Sequence, residues 1–303
     1  MTAIEVLEFT DPGCSWAWGS EPKLRRLRWR FGDRLAWRRV LGGLVGDMER
    51  YREQQPAAAS PGTLADYWRE VYSHTQMSYP PGLQRVTRST EPAGKAVKAA
   101  GLQSDEVAGR VLRRLREQTF IFGEPPDTPD RILATVGGVE GLDPDQLGRD
   151  LGSVQVEKLF REDWNEARQP NDYVMHLEGD RPGIGRACHS EGHWRYVFPT
   201  LVFRGPGGEA TVAGWEPYDA YEAGLESAGP GSTAAPRPDP SPAEVFATWP
   251  TACDTELDFL CGRPASPPPE TVAFDWGEGT FYLTPPEARA RGLAPDPDPA
   301  GQA

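Results

Sequence analysis

The residue best placed for chemistry is Cys14, which follows a strand-like run at residues 4–9 and a short turn of Asp11, Pro12 and Gly13. It also begins a predicted helix, where unpaired backbone N–H groups and the positive end of the helix dipole stabilise a negative charge. Both effects favour the thiolate, which is the nucleophilic form of cysteine. The sequence therefore predicts a reactive thiol at this position.

A dithiol redox site would place its second cysteine at the position of Ala17, which has no sulfur. In a dithiol enzyme the second thiol clears the mixed disulfide formed at the first. Three interpretations of Cys14 stay open. It works as a monothiol that a low-molecular-weight thiol resolves, or a distant cysteine resolves it, or the redox chemistry is lost and the fold serves another purpose.

Cys188 is the best candidate for a distant partner, because it lies in an irregular segment shortly before Pro199, with His189 and His193 close by. The sequence is compatible with a redox role for Cys188, with a loop cysteine that has no role, and with a general base from either histidine. The Cys-His-x-x-x-His spacing could also bind zinc, but one spacing with three ligands is weak support. We therefore predict no metal site.

Three other residues have a structural interpretation, and Trp16 has a functional one beside it. Trp16 lies inside the predicted active-site turn, where it either packs in the core or forms a wall for an apolar or aromatic substrate. Cys253 and Cys261 fall in a helix-like stretch and are predicted to be free, buried thiols.

The charge balance narrows the class of partner. The 303 residues include 32 Lys and Arg against 45 Asp and Glu, a formal net charge of −13, which argues against a nucleic-acid partner. The basic stretch at residues 23–34 is interpreted as the solvated face of an amphipathic helix. No apolar run is long enough to span a membrane, and the N-terminus resembles a strand rather than a signal peptide. We therefore expect a cytoplasmic protein with no membrane partner.

Local patterns predict a strand–helix–strand unit, then a block of helices, then two strands and a closing helix. In the helical block, Thr128 and Asp143 each precede a proline, which is an N-cap signal. This order is the thioredoxin plan with a helical domain in its middle. The predicted divisions are a thioredoxin-like domain at residues 1–50 and 171–226, a helical insertion domain at 51–170, a linker at 227–242, a small C-terminal module at 243–292 and a disordered tail at 293–303.

Two stretches resemble a known family. FTDPGCSWAWGSEP resembles the DPxCPWCY opening of the DsbA-like family, in particular its cytoplasmic FrnE-like branch, and YVFPTLVF resembles that family's cis-proline strand. The resemblance, which covers residues 3–226, implies an α/β thioredoxin-like fold with an inserted all-helical domain and a small C-terminal extension. It implies the nucleophile position for Cys14, a cis-proline at Pro199, and substrate contacts for Ser15, Trp16, Phe198, Pro199 and Thr200, although Ser15 replaces the usual proline.

The resemblance implies a thiol-disulfide oxidoreductase that acts on protein thiols or a small-molecule thiol, here as a monothiol through Cys14. It implies no tightly bound cofactor, and a low-molecular-weight thiol from solution would serve as the resolving partner. Kappa-class glutathione transferases and hydroxychromene carboxylate isomerases resemble this fold and lack the dithiol pair, which suggests a transferase or isomerase acting on a small aromatic molecule. Bacterial adaptors that deliver a transcription factor to a protease also resemble it, and the C-terminal module would then bind a protein partner.

Overall fold

The computed structural model describes residues 3–275 and 279–294. The strands are β1 (Ile4–Thr10), β2 (Leu35–Leu41), β3 (Cys188–Ser190), β4 (His193–Arg195), β5 (Thr200–Gly205), β6 (Gly208–Ala213), β7 (Thr251–Cys253), β8 (Val272–Asp275) and β9 (Thr280–Leu283). The helices are α1 (Ser15–Gly19), α2 (Glu21–Phe31), α3 (Met48–Gln54), α4 (Pro61–Thr75), α5 (Glu91–Gly101), α6 (Asp105–Phe120), α7 (Pro129–Val136), α8 (Pro144–Asp150), α9 (Val154–Ala167), α10 (Asp172–Met175), α11 (Tyr218–Ala228), α12 (Pro242–Thr248), α13 (Asp254–Cys261) and α14 (Pro285–Ala290).

A four-stranded sheet in the order β2-β1-β5-β6 forms the thioredoxin-like core. β1 and β2 are parallel, so the chain must cross over between them, and it does so through α1 and α2. Successive side chains of β1 enter different apolar clusters, Leu7 and Phe9 on one side and Ile4 and Val6 on the other. Both faces of the sheet are therefore covered, and the predicted α/β thioredoxin-like fold class is confirmed.

The inserted helical domain runs from α3 to α10, between β2 and β3. Its predicted N-caps are present: Thr128 accepts from the backbone N–H of Arg131 at 3.4 Å, and Asp143 accepts from that of Gln146 at 2.9 Å. These bonds satisfy N–H groups that have no partner inside the helix. No helix within residues 3–275 and 279–294 has the length and apolar content needed to cross a bilayer.

The C-terminal module consists of α12, α13, α14 and the sheet β7-β9-β8. Its apolar side is continuous with the rest of the molecule, since Phe281 joins Trp18 in one buried cluster. Leu293 and Ala294 contact the same cluster, so these two residues of the predicted disordered tail are packed. The rest of that predicted tail, residues 295–303, lies outside the described residues.

A layer of buried ion pairs, here called the arginine seam, lies between the C-terminal module, α2 and α6. Its members are Glu21, Arg25, Arg113, Arg114, Arg116, Glu117, Glu256, Glu287 and Arg291. Arg113 donates to both carboxylate oxygens of Glu256, at 2.8 and 2.7 Å, and to Glu117 at 2.5 Å. Each guanidinium of the seam has a carboxylate partner, which offsets the cost of burying its charge.

The prediction of a solvated basic face on α2 is wrong for two of its residues. Lys23 and Arg25 are only 8% and 3% exposed. Arg25 lies beneath the C-terminal module and donates to the Thr251 carbonyl at 2.8 Å, while Lys23 lies over the Trp215 ring. A solvent-facing pattern on α2 becomes a contact face because a later part of the chain covers it.

The segment predicted as a flexible linker, 227–242, makes a hydrogen bond and an ion pair with α2. Trp29 Nε1 donates to the Pro238 carbonyl at 2.7 Å, and Arg26 pairs with Asp239 at 2.7 Å. A proline-rich, extended chain has no internal partners for its carbonyl groups. The side-chain donors of α2 supply them.

Candidate functional site

Cys14 occupies the N-cap of α1, as its predicted position before a helix requires. Its Sγ accepts from the backbone N–H of Ala17 at 3.4 Å and donates to the Phe198 carbonyl at 3.3 Å. The residue is 6% exposed. Burial raises the pKa of the thiol to about 11, and the nearby Asp11 carboxylate acts in the same direction. The pKa shift is opposite to the expected one, because desolvation outweighs the helix terminus.

Ala17 lies where a second sulfur would resolve Cys14, and it is fully buried. All four cysteines of the chain are free in the described structure. Cys253 and Cys261 are buried thiols, which confirms that prediction. Any resolving thiol for Cys14 must therefore come from elsewhere in the cavity or from solution.

The Phe198–Pro199 peptide bond is cis, and it presents the Phe198 carbonyl to Cys14. The Phe198 ring packs directly on Gly42 at the end of β2. A Cβ atom at Gly42 would lie 1.9 Å from the ring, so only glycine fits there. The end of β2 thus fixes the position of the loop that covers the thiol.

Asp11 holds the loop before Cys14 in place. Its carboxylate accepts from the backbone N–H groups of Gly13 at 2.8 Å and Leu44 at 2.7 Å, and from the Thr90 hydroxyl at 3.1 Å. These donors belong to the loop itself, to the segment after β2 and to the residue before α5. Burial nevertheless raises the pKa of Asp11 to about 6.

A cavity of about 290 Å³ opens on the Cys14 thiol. It lies between the Cys14 loop, α3, α4 and the hairpin formed by β3 and β4. Trp16 forms part of its wall, and the indole Nε1 donates to the Tyr67 hydroxyl at 2.9 Å. Tyr51 of α3 also lines it, and burial raises the pKa of that phenol. The space is mostly apolar, with a few polar groups at fixed positions, as in small-ligand sites.

The β3–β4 hairpin, which the sequence analysis treats as irregular, separates Cys188 from the two histidines. Cys188 pairs with Arg195 across the hairpin, and both line the cavity. His189 and His193 are exposed and contact Trp194 and Trp164 instead. Among the described residues no three His, Cys, Asp or Glu side chains are grouped closely enough to hold a metal ion.

The predicted site residues are thus only partly brought together. The cavity is lined by Cys14, Ser15, Trp16, Cys188 and Phe198, but not by Pro199, Thr200, His189 or His193. Pro199 and Thr200 are engaged in backbone structure: the Pro199 carbonyl accepts from the Gly214 N–H at 2.8 Å, and the Thr200 hydroxyl donates to the Val197 carbonyl at 2.7 Å.

The sequence analysis missed many of the residues that line the cavity, among them Tyr51, Tyr67 and Arg195. The tyrosines lie far from Cys14 in sequence, on helices of the insertion domain. Nothing local in the sequence marks them. Arg195 could have been noticed as a charged residue beside the predicted cis-proline strand.

Comparison with known proteins bears on the fold first. The protein-family model described as Thioredoxin matches residues 7–171, more than half of the chain. A candidate protein disulfide isomerase from Nitrosomonas europaea superimposes with a TM-score of 0.54 at 16% identity, covering 74% of this chain and 97% of that one. A probable DsbA oxidoreductase from Streptomyces coelicolor gives a TM-score of 0.51 at 15% identity, covering 74% and 89%. These neighbours share the DsbA-type fold.

Similar curated proteins carry a different functional name. ClpXP adapter protein SpxH of Halalkalibacterium halodurans is 29% identical over 169 residues, 55% of each chain. The protein of that name from Shouchella clausii is 28% identical over 158 residues, 52% of this chain and 51% of the relative. The chain spans about half the length of these curated relatives.

Proposed function

We propose that this chain, which belongs to the thioredoxin family, is a non-catalytic adaptor that presents a protein to a ClpXP-type protease. The observation that carries the proposal is the state of Cys14. Its thiol is buried, donates to the Phe198 carbonyl and has alanine in the resolving position. With a pKa of about 11, only about one thiol in ten thousand is ionised at pH 7. Such a site is better suited to binding than to disulfide exchange.

The adaptor relatives support this proposal over roughly half of their length. The docked C-terminal module adds protein surface that could serve a partner. An adaptor of this kind must share the cytoplasm with the protease, in agreement with the location expected from the sequence.

The experiment is a proteome-wide measurement of protein half-lives by isotope pulse-chase in cells that lack this chain. We expect at least one short-lived protein to become stable, with no further stabilisation when ClpP is also absent. Both the wild-type chain and Cys14→Ala should restore its degradation. Unchanged half-lives, or restoration by the wild type but not by Cys14→Ala, would contradict a non-catalytic adaptor.

A monothiol oxidoreductase is the second candidate, favoured by one observation. The Cys14 thiol lines a cavity of about 290 Å³, which is large enough to admit a small thiol or disulfide. In this function the Cys14 thiolate attacks a disulfide RSSR′, forms a Cys14–S–S–R mixed disulfide and releases R′S⁻. A low-molecular-weight thiol or Cys188 then attacks the mixed disulfide and restores Cys14 as it forms a new disulfide with R.

Mass spectrometry after incubation with glutathione disulfide distinguishes the two candidates. The monothiol enzyme predicts one adduct on Cys14 that forms within minutes at pH 7. It also predicts that added thiol removes the adduct, and a Cys188→Ala variant shows whether Cys188 assists. The adaptor predicts that Cys14 stays unmodified under these conditions.

A further inference from the structure

Arg195 is a buried cation that has no acidic partner among the described residues. It is 5% exposed, and its Nη1 donates to the backbone carbonyl of Tyr196 at 2.9 Å. Its Nε is buried without a hydrogen-bond partner. The guanidinium carbon also lies 5.1 Å from the centroid of the Phe198 ring.

A guanidinium in this situation carries an uncompensated cost. Removing a charge from water is costly unless an opposite charge or a full set of hydrogen bonds replaces the water. One carbonyl and one aromatic face replace only part of the lost hydration of the guanidinium. The structure therefore leaves room at Arg195 for an anion that the described chain does not provide.

The cavity beside Cys14 is where this anion would lie. Arg195 is the only charged residue among the described residues that line the cavity. The other ionisable groups there are phenols and thiols, and burial raises the pKa values of Cys14 and Tyr51. Cys14 and Tyr51 therefore stay neutral near pH 7 and do not neutralise the guanidinium.

We propose that this cavity binds a small apolar carboxylate, with the carboxylate paired to Arg195 and the apolar body against Trp16, Trp68 and Phe198. Arginine presents two parallel N–H donors that match a carboxylate. The aromatic and aliphatic walls bury an apolar body. A volume of about 290 Å³ fits a small molecule rather than a folded protein segment. The inference does not depend on the adaptor function, because it concerns the purified chain alone.

The test is isothermal titration of the full chain with decanoate and with 2-naphthoate, which distinguish a flexible chain from a ring as the apolar body. Decanol and 2-naphthol are the matched neutral probes. We expect at least one carboxylate to bind the wild type, and Arg195→Gln to weaken it by at least about tenfold. Binding of the neutral probes should change less than twofold. Arg186→Gln, a change at an exposed arginine on the same segment, should bind like the wild type.

A second measurement on the wild type keeps the test valid if Arg195→Gln does not fold. In ¹³C NMR of carboxyl-labelled probe, the bound carboxylate should ionise at a lower pH than the free one, because the guanidinium stabilises its charge. Equal affinity for the acid and its neutral match, an unchanged ionisation pH, or absence of binding would each overturn the proposal. If a peptide with a free C-terminal carboxylate binds while neither acid does, the cavity is a peptide-end site and the small-molecule proposal is also overturned.

Discussion

The arginine seam and the Cys14 cavity bury the same functional group in opposite ways. In the seam, Arg113 is held by Glu256 and Glu117. In the cavity, Arg195 is no more exposed, yet it has a carbonyl and a ring as partners. The ion pairs of Arg113 hold the C-terminal module in place. The unpaired charge of Arg195 instead marks a site where a ligand could supply the missing anion.

The largest expected loss of stability comes from removing a paired arginine of the seam. Arg113→Met takes from buried Glu256 its bidentate partner and from buried Glu117 one of its arginine partners, so the free energy of unfolding should fall by about 3–5 kcal/mol. Urea denaturation measures it, and limited proteolysis should show earlier cleavage of the C-terminal module. Lys158→Met removes an exposed pair with Glu162 and should leave the stability unchanged within error. Equal effects of the two changes would show that the seam is not a stabilising contact.

The rate at which Cys14 is alkylated tests whether its thiol is neutral near pH 7. Because burial raises the pKa of Cys14 to about 11, iodoacetamide should modify it at pH 7.5 roughly 300 times more slowly than an ordinary cysteine. The rate should still be rising at pH 10. Peptide mass spectrometry measures it, with Cys14→Ser to assign the signal. A rate that levels off below pH 8.5 would mean that the helix terminus activates the thiol after all.

One acidic residue of the seam and one beside the cavity should make the stability of the protein depend on pH with opposite sign. Glu21 of the seam has its pKa lowered to about 2 although burial opposes this, because Arg116 and other arginines favour its charge. Its stabilisation is full above pH 4.5 and is lost as the pH falls through about 2. Asp11, beside the cavity, has its pKa raised from 3.8 to about 6 by burial. Its contribution is full below pH 3.8 and is lost as the pH rises through about 6.

The variant Asp11→Asn isolates the contribution of Asp11 to the pH dependence of stability. Between pH 4 and pH 7 the wild type should lose about 2 kcal/mol of stability relative to that variant. Denaturant titrations at several pH values measure the difference, and the exposed Asp130→Asn serves as the control that keeps the wild-type profile. Parallel curves for wild type and Asp11→Asn would mean that Asp11 is ionised throughout this range.

The smallest expected change in stability comes from replacing Arg195, the unpaired arginine of the cavity. Arg195→Met removes a cation that leaves no carboxylate behind, and it fills similar volume with apolar atoms. Its effect on the free energy of unfolding should be below about 1 kcal/mol in either direction. Comparison with Arg113→Met by the same urea titration gives the contrast directly. A loss as large as that of Arg113→Met would place Arg195 among the structural cations.

Much of the fold could be predicted because its signals are local. The strand patterns on either side of the first helices, and the N-caps at Thr128 and Asp143, depend on neighbouring residues alone. The β3–β4 hairpin was missed because its strands are three residues long and mostly polar. The composition of the segment at 227–242 does not reveal that α2 supplies donors to it.

Only those properties of the site that depend on neighbouring residues in the sequence could be predicted. The position of Cys14 before a helix could be inferred, but the pKa of its thiol depends on burial by Phe198 and by parts of the insertion domain distant in sequence. Likewise, the sequence shows an arginine at position 195 but not whether a carboxylate lies beside it. Interactions between segments far apart in the chain determine both properties.

The hydrogen bonds of Asp11 have a consequence for modular engineering. Its carboxylate joins the Cys14 loop to Thr90 of the inserted domain, and Gly13 lies so close to Thr90 that an added Cβ would be 2.6 Å from its methyl group. The insertion domain is therefore not an independent cassette. A chimaera that exchanges it for that of another protein would have to carry threonine at the junction, or else rebuild the loop that positions the cysteine.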